Sequence, residues 1–305
     1  MSSIAWLWIP VTLWAAFAQT LRNVMQRRLS AELGVLGATL VRFLYGLPFA
    51  VLWFIAVWKI GGFVLPGPTL TFVAWVILGS VSQIAATALL LRVMAERNFT
   101  LGVAYSKSEL IQVAVFSQLF LGDRLSFASC IAIALGTLGV ALISPVDRAR
   151  PLRSLITGLG TRSALLGLAS GTGFALSALG FRGASLALDG TPFLMAAATT
   201  LLVAQSLQTL LLGGWLVQRD RTLAVKVLTA WRPSLFAGFM GAAASAGWFT
   251  AMALEPVARV RTLGLIELLF SYVISRRLFQ EKLASIELAG LGLLTLGLII
   301  VTLGL

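Results

Sequence analysis

Residues Phe99–Leu121 read FTLGVAYSKSELIQVAVFSQLFL. The stretch is long and apolar enough to cross a bilayer, yet it carries Lys107, Glu109 and Gln112 near its centre. A charged side chain at that depth is unfavourable by about 2.5–3.5 kcal/mol on insertion scales, so such a residue lines a cavity or has a partner. At about 3.6 residues per turn, Tyr105, Ser108, Glu109 and Gln112 share one helix face. That face is expected to look onto protein or water.

The stretch recurs without a gap. The offset that carries Glu109-Leu110 onto Glu267-Leu268 also carries Met94-Ala95 onto Met252-Ala253, and Ser117 onto Ser275. Asp123-Arg124-Leu125 fall on Glu281-Lys282-Leu283, and Thr137-Leu138-Gly139 on Thr295-Leu296-Gly297. Two apolar helices can match by composition alone, but a shared acidic-basic-Leu turn between two matched helices is harder to dismiss. The chain reads as an internal duplication.

Composition sets the class. Of 305 residues 59% are apolar and 11% charged, and mean hydropathy is +0.96, far more apolar than a soluble domain. The chain is expected to be a polytopic membrane protein. Its N-terminus has no Lys or Arg before the first apolar run and no small-residue cleavage site, so the first helix is expected to stay. With one cysteine, Cys130, and no histidine, disulfides, zinc sites and imidazole chemistry are removed from consideration. No metal and no cofactor is expected. The net charge of +12 is scattered between apolar spans rather than gathered into the contiguous basic face that nucleic acid requires, so nucleic acid is not expected as a partner.

Ten spans of about 20 residues fit the chain. They run over 4–21, 34–57, 70–93, 100–121 and 126–144, then 163–186, 191–216, 234–254, 258–278 and 284–304. The expected fold is all-α, ten transmembrane helices in two five-helix repeats, 1–145 and 163–305, joined by a basic polar linker over 146–162. An odd number of spans per repeat makes the second copy enter the membrane from the other side. Inverted repeats place substrate sites near the midplane. Lys and Arg concentrate in the loops after odd spans, which predicts those loops in the cytoplasm and both termini outside.

Arg42, in LVRFL within the second span, is read as binding an anionic substrate group or pairing with Glu109 or Glu267; the alternative is a structural ion pair. Glu109 and Glu267 sit at matching positions and are expected to flank one cavity, as substrate or proton sites or as acids that bond neighbouring helices. Lys107, two residues from Glu109, is read as pointing away from it and either snorkelling or pairing with another helix. Gln19, Gln83, Tyr105, Ser108, Gln112 and Trp248 are the further candidates for substrate contact, against the commoner role of interhelical hydrogen bonding. Spans 5 and 10, nearly devoid of polar side chains, read as scaffold, and Pro10 and Pro48 as kinks in spans 1 and 2.

With these residues in place, the chain resembles the ten-helix, EamA-type members of the drug/metabolite transporter superfamily over nearly its whole length. The resemblance rests on the two five-helix repeats, Arg42 in the second span, Glu109 and Glu267 in SELIQV and IELLFS, and the turns LGDRLS and FQEKLA. Where that family often has proline after the mid-span Glu, this chain has Leu110 and Leu268. The resemblance implies a bacterial inner-membrane carrier of small metabolites, often an exporter of amino acids or related compounds.

The expectation is a secondary transporter of a small polar or amphiphilic metabolite, with lipid around it and protons as the candidate coupling ion. An uncoupled facilitator or exchanger is the alternative. In other classes stand a membrane scaffold and, last, an intramembrane enzyme using the two carboxylates. No GxxxxGK[ST] phosphate loop occurs, so this chain alone is no ATP-driven pump.

Overall fold

In a hydrocarbon solvent the backbone must satisfy its own polar groups, and apolar runs of this length do so as helices. The computed structural model describes residues 6–95, 105–143, 160–270 and 285–303, and every regular element among them is helical. In chain order they are α1 (Trp8–Leu44), α2 (Leu47–Gly61), α3 (Leu70–Ala95), α4 (Glu109–Leu121), α5 (Phe127–Ile143), α6 (Arg162–Leu186), α7 (Phe193–Arg219), α8 (Arg221–Thr229), α9 (Trp231–Leu254), α10 (Val257–Leu263) and α11 (Ser285–Leu303). Five helical segments are long and apolar enough to cross a membrane: the run Trp8–Gly61, α3, α6, α7 and α9. Helices α4, α5 and α11 are shorter apolar helices. Phe99–Ala104, Ser275, the turn FQEKLA and residues 146–159 of the linker lie outside the described residues.

The first span, expected over 4–21, continues as helix to Leu33. Arg22, Gln26, Leu29 and Leu33 recur at helical spacing and are buried, while Arg27, Arg28 and Glu32 on the other face are exposed. The segment is amphipathic, and its polar face makes it read as a loop. At Gly34 the backbone takes φ 66° and ψ 178°, and the chain doubles back on itself. Gln26 Nε2 then donates to the Ala38 carbonyl at 3.0 Å across the hairpin. Only glycine adopts such a φ without steric conflict.

The second span breaks at Tyr45–Gly46, just ahead of Pro48 in the first turn of α2. Proline supplies no N–H, so carbonyls before it lose their helical donors; the Gln205 amide meets that of Phe43 at 3.2 Å. Pro10, by contrast, occupies the first turn of α1 and kinks nothing there. The connection after α7, expected as loop, contains the short helix α8, capped by Asp220, whose carboxylate accepts from Leu223 N at 2.9 Å. Tyr45 Oη donates to the carbonyls of Val227 and Leu228 in α8.

Three helix pairs carry most of the packing: α1 with α9, α3 with α6, and α5 with α11. Small residues permit the closest approach. A Cβ on Gly180 of α6 would stand 2.6 Å from the Gly79 nitrogen of α3, so those backbones touch as small-residue helix pairs do. Gly34→Ala is expected to lower stability by about 1–2 kcal/mol, and Gly180→Leu to lose the α3–α6 contact and far more. Unfolding midpoints in detergent, with retention of a monodisperse species, measure both.

Candidate functional site

Glu109 and Glu267 each follow a helix break. Residues 105–106 are helical, 107–108 form a turn, and α4 starts at Glu109; α10 ends at Leu263, Gly264–Leu265 form a turn, and helix resumes at Ile266. Tight bonds from Leu110 N to Lys107 O (3.2 Å) and from Glu267 N to Gly264 O (3.1 Å) close the two turns. Neither break uses proline. At the second, Gly264 leaves room for the Trp248 ring, which a Cβ there would strike.

The break overturns the expected stripe. With the helix interrupted at Lys107–Ser108, Tyr105, Ser108 and Gln112 do not share the Glu109 face, and none of the three lines the cavity. Gln112 Nε2 turns back onto Ser108 Oγ at 2.9 Å instead. Lys107, read as pointing away from Glu109 and snorkelling or pairing with another helix, enters the cavity and binds the carboxylate of Glu267.

The two carboxylates are held crosswise between the halves of the chain. Glu267 takes Lys107 on Oε1 and the Gln19 amide on Oε2. Glu109 Oε1 faces Arg261 Nε at 3.0 Å, as a charge contact without hydrogen-bond alignment. Trp248 joins the two pairs. Its Nε1 donates to Gln19 Oε1 at 3.0 Å, and its ring stands 4.9 Å from the Arg261 guanidinium, a cation–π contact. Arg42, read as binding an anionic substrate group or pairing with one of the carboxylates, pairs with neither carboxylate: Nη1 donates to Thr87 Oγ1 at 3.1 Å.

These groups surround a cavity of about 510 Å³, within the range of small-ligand pockets. Of the nine residues singled out from sequence, Gln19, Arg42, Gln83, Glu109, Trp248 and Glu267 line it. Gln83 Oε1 accepts from Gln208 Nε2 at 2.8 Å, so both amides are engaged. No residue of α5 or α11 lines it, in keeping with a scaffold role for that pair. At one end the wall reaches the exposed Arg27 and Arg28. Phe181 and Phe249, rings 4.4 Å apart, and Met252 form another part of the wall.

Next to Phe181 in α6, Arg182 ties three segments together. It binds Asp123 through two parallel contacts, Nε to Oδ2 at 3.0 Å and Nη2 to Oδ1 at 2.9 Å, the bidentate geometry of a strong pair. Its Nη1 donates to the carbonyls of Met252 and Glu255, the latter at 2.7 Å, capping the carboxyl end of α9. Asp123 belongs to the LGDRLS turn. Sequence singled out that turn but not the arginine it holds.

From the sequence Arg22 reads as a loop charge with room to be partly buried and Arg261 as a flanking charge, and neither is singled out as a site residue. Arg22 is buried, 4% exposed, and lines the cavity; its helical spacing with Gln26, Leu29 and Leu33 is the available signal. Arg261 precedes Glu267 in the same span and reads as a flanking charge until the break turns it inward.

No protein-family sequence profile matches the chain, and no curated protein does. Chains of solved structures do resemble it. One, a crystal structure described only as that of a protein, covers 99% of this chain over 98% of its own, with a TM-score of 0.68 at 15% identity. A likeness at that identity concerns the fold alone. Glu109→Gln should leave Arg261 uncompensated and lower stability by about 3–5 kcal/mol, with Glu109→Gln plus Arg261→Gln recovering much of the loss. A double-mutant cycle on unfolding midpoints checks this.

Proposed function

We propose that this chain is a secondary transporter of a small metabolite, ten transmembrane helices in two inverted five-helix repeats, working by alternating access around the central cavity. The observation that carries the reading is the cavity itself. It is polar and charged in the middle of an apolar molecule, is lined by both halves of the chain, and takes in the exposed Arg27 and Arg28 as well as Phe181 and Phe249. A cavity between the two halves is where inverted repeats place a substrate site.

Helix bounds support the repeat. The offset between Glu109 and Glu267 carries α3 close to α9 and α5 onto α11. Packing is consistent with it: α1 on α9 and α3 on α6 are exchanged by that offset, while α5 lies on α11 and α2 on α7. The sequence resemblance to EamA-type drug/metabolite transporters points the same way, toward a bacterial inner-membrane carrier. With the loops after odd spans in the cytoplasm, the Arg27–Arg28 mouth opens inward.

A proton is the candidate coupling ion, through Glu109 or Glu267. The engagement of both carboxylates by cations favours a second reading, an uncoupled facilitator or exchanger.

Flux in proteoliposomes against a mixed metabolite pool, with and without an imposed pH gradient, separates these. The carrier reading expects a compound to cross unchanged. Loss of gradient response in Glu109→Gln or Glu267→Gln marks proton coupling, and indifference to gradient and mutation marks the facilitator. Failure of every pool member to cross sinks transport, and chemical alteration of the substrate points to an enzyme. A periplasm-active reporter fused at Leu305 is expected to be active; silence reverses the orientation.

A further inference from the structure

A guanidinium cannot shed its charge by ordinary titration, so when buried it needs an anion or a full set of acceptors. Arg22 has neither. At 4% exposure its Nη2 reaches only Asn23 Oδ1, at 2.8 Å, while Nε and Nη1 are buried with no hydrogen-bond partner. Arg42, also 4% exposed, makes its one side-chain hydrogen bond to the neutral hydroxyl of Thr87. Both line the central cavity, and among the described residues neither has a carboxylate partner.

The fold brings the two together. In the hairpin hinged at Gly34, Gln26 lies across from Ala38; one helical turn further from the hinge on each strand stand Arg22 and Arg42. Their stems converge on Gly241 of α9, where a Cβ would lie 3.5 Å from Arg22 Cδ and 3.5 Å from Arg42 Cγ. With Thr87 and Phe174 they border one small cleft that adjoins the cavity. Two guanidinium groups side by side repel each other, and this arrangement is favourable only with negative charge between them.

No side chain among the described residues supplies that charge. Glu267 is held by Lys107 and Glu109 by Arg261, and with Arg27 and Arg28 at the mouth the lining keeps a clear excess of positive charge. A cationic cargo would be repelled from it. Planar guanidinium forks match the oxygens of a carboxylate or phosphate. Around them the wall is aromatic, with Phe174, Phe181 and Phe249.

We propose that Arg22 and Arg42 form the receptor for the anionic head of the substrate, a carboxylate or a phosphate, whose apolar body lies against Phe174, Phe181 and Phe249. This names the substrate class of the cavity, and it rests on the transporter reading only for movement of the bound anion across the membrane.

Calorimetric titration of the purified full chain in detergent, at constant ionic strength, tests the receptor without requiring transport. The probes are benzoate and phenyl phosphate, which distinguish the two head groups, with benzamide and benzylamine as neutral and cationic matches. At least one anion is expected to bind saturably, and benzamide and benzylamine to bind at least about tenfold more weakly. Arg22→Gln and Arg42→Gln should each weaken the anion about tenfold or more, Arg22→Lys less, and Lys59→Gln, at the end of α2, not at all. Where a Gln variant does not purify as a monodisperse species, the wild-type head-group series and Arg22→Lys decide.

Equal binding of neutral or cationic matches overturns the proposal. So does anion binding indifferent to both arginines, or the absence of anion binding by monodisperse protein. The two readings fail separately. An anion that needs Arg22 and Arg42 to bind but does not cross proteoliposomes leaves the receptor and removes the carrier, whereas flux of a neutral or cationic solute with no anion binding does the reverse.

Discussion

Charge in a medium that solvates it poorly must be met by charge or by a dense set of donors, and the interior of this protein is arranged around that constraint. Lys107 with Glu267, and Arg261 with Glu109, each join one half of the chain to the other. A carboxylate from either half is therefore neutralised only when the halves are together. The apolar helices supply thickness and enclosure, but these contacts decide which faces turn inward, and the cavity forms where they do.

Helical class, the place of Glu109, Glu267 and Arg42 on the cavity, and the absence of described α5 and α11 residues from its lining were legible in the sequence because each follows from where polar residues interrupt apolar runs. Local geometry was not. The Gly34 hinge is a single glycine among 29, and the breaks before Glu109 and Glu267 carry no proline, so periodicity runs straight through them. That continuity places Tyr105, Ser108 and Gln112 on the Glu109 face, which they do not share. Arg22 is hidden for a different reason: a polar helical face beside it makes an amphipathic extension look like loop.

Ion pairs are the least readable feature. The duplication read from the sequence puts Glu109 and Glu267 in related places, yet their cations come from unrelated positions. Lys107 lies just before Glu109 in its own half, and Arg261 more than a turn before Glu267 in the other. The countercharges do not obey the offset that relates the carboxylates, so no repeat arithmetic gives the partners.

Trp248 touches both pairs, through Gln19 to one and through its ring to the other, and lies flush against Gly264. Moving the indole would therefore disturb both pairs at once, so the two contacts between the halves are linked through one side chain rather than standing independently.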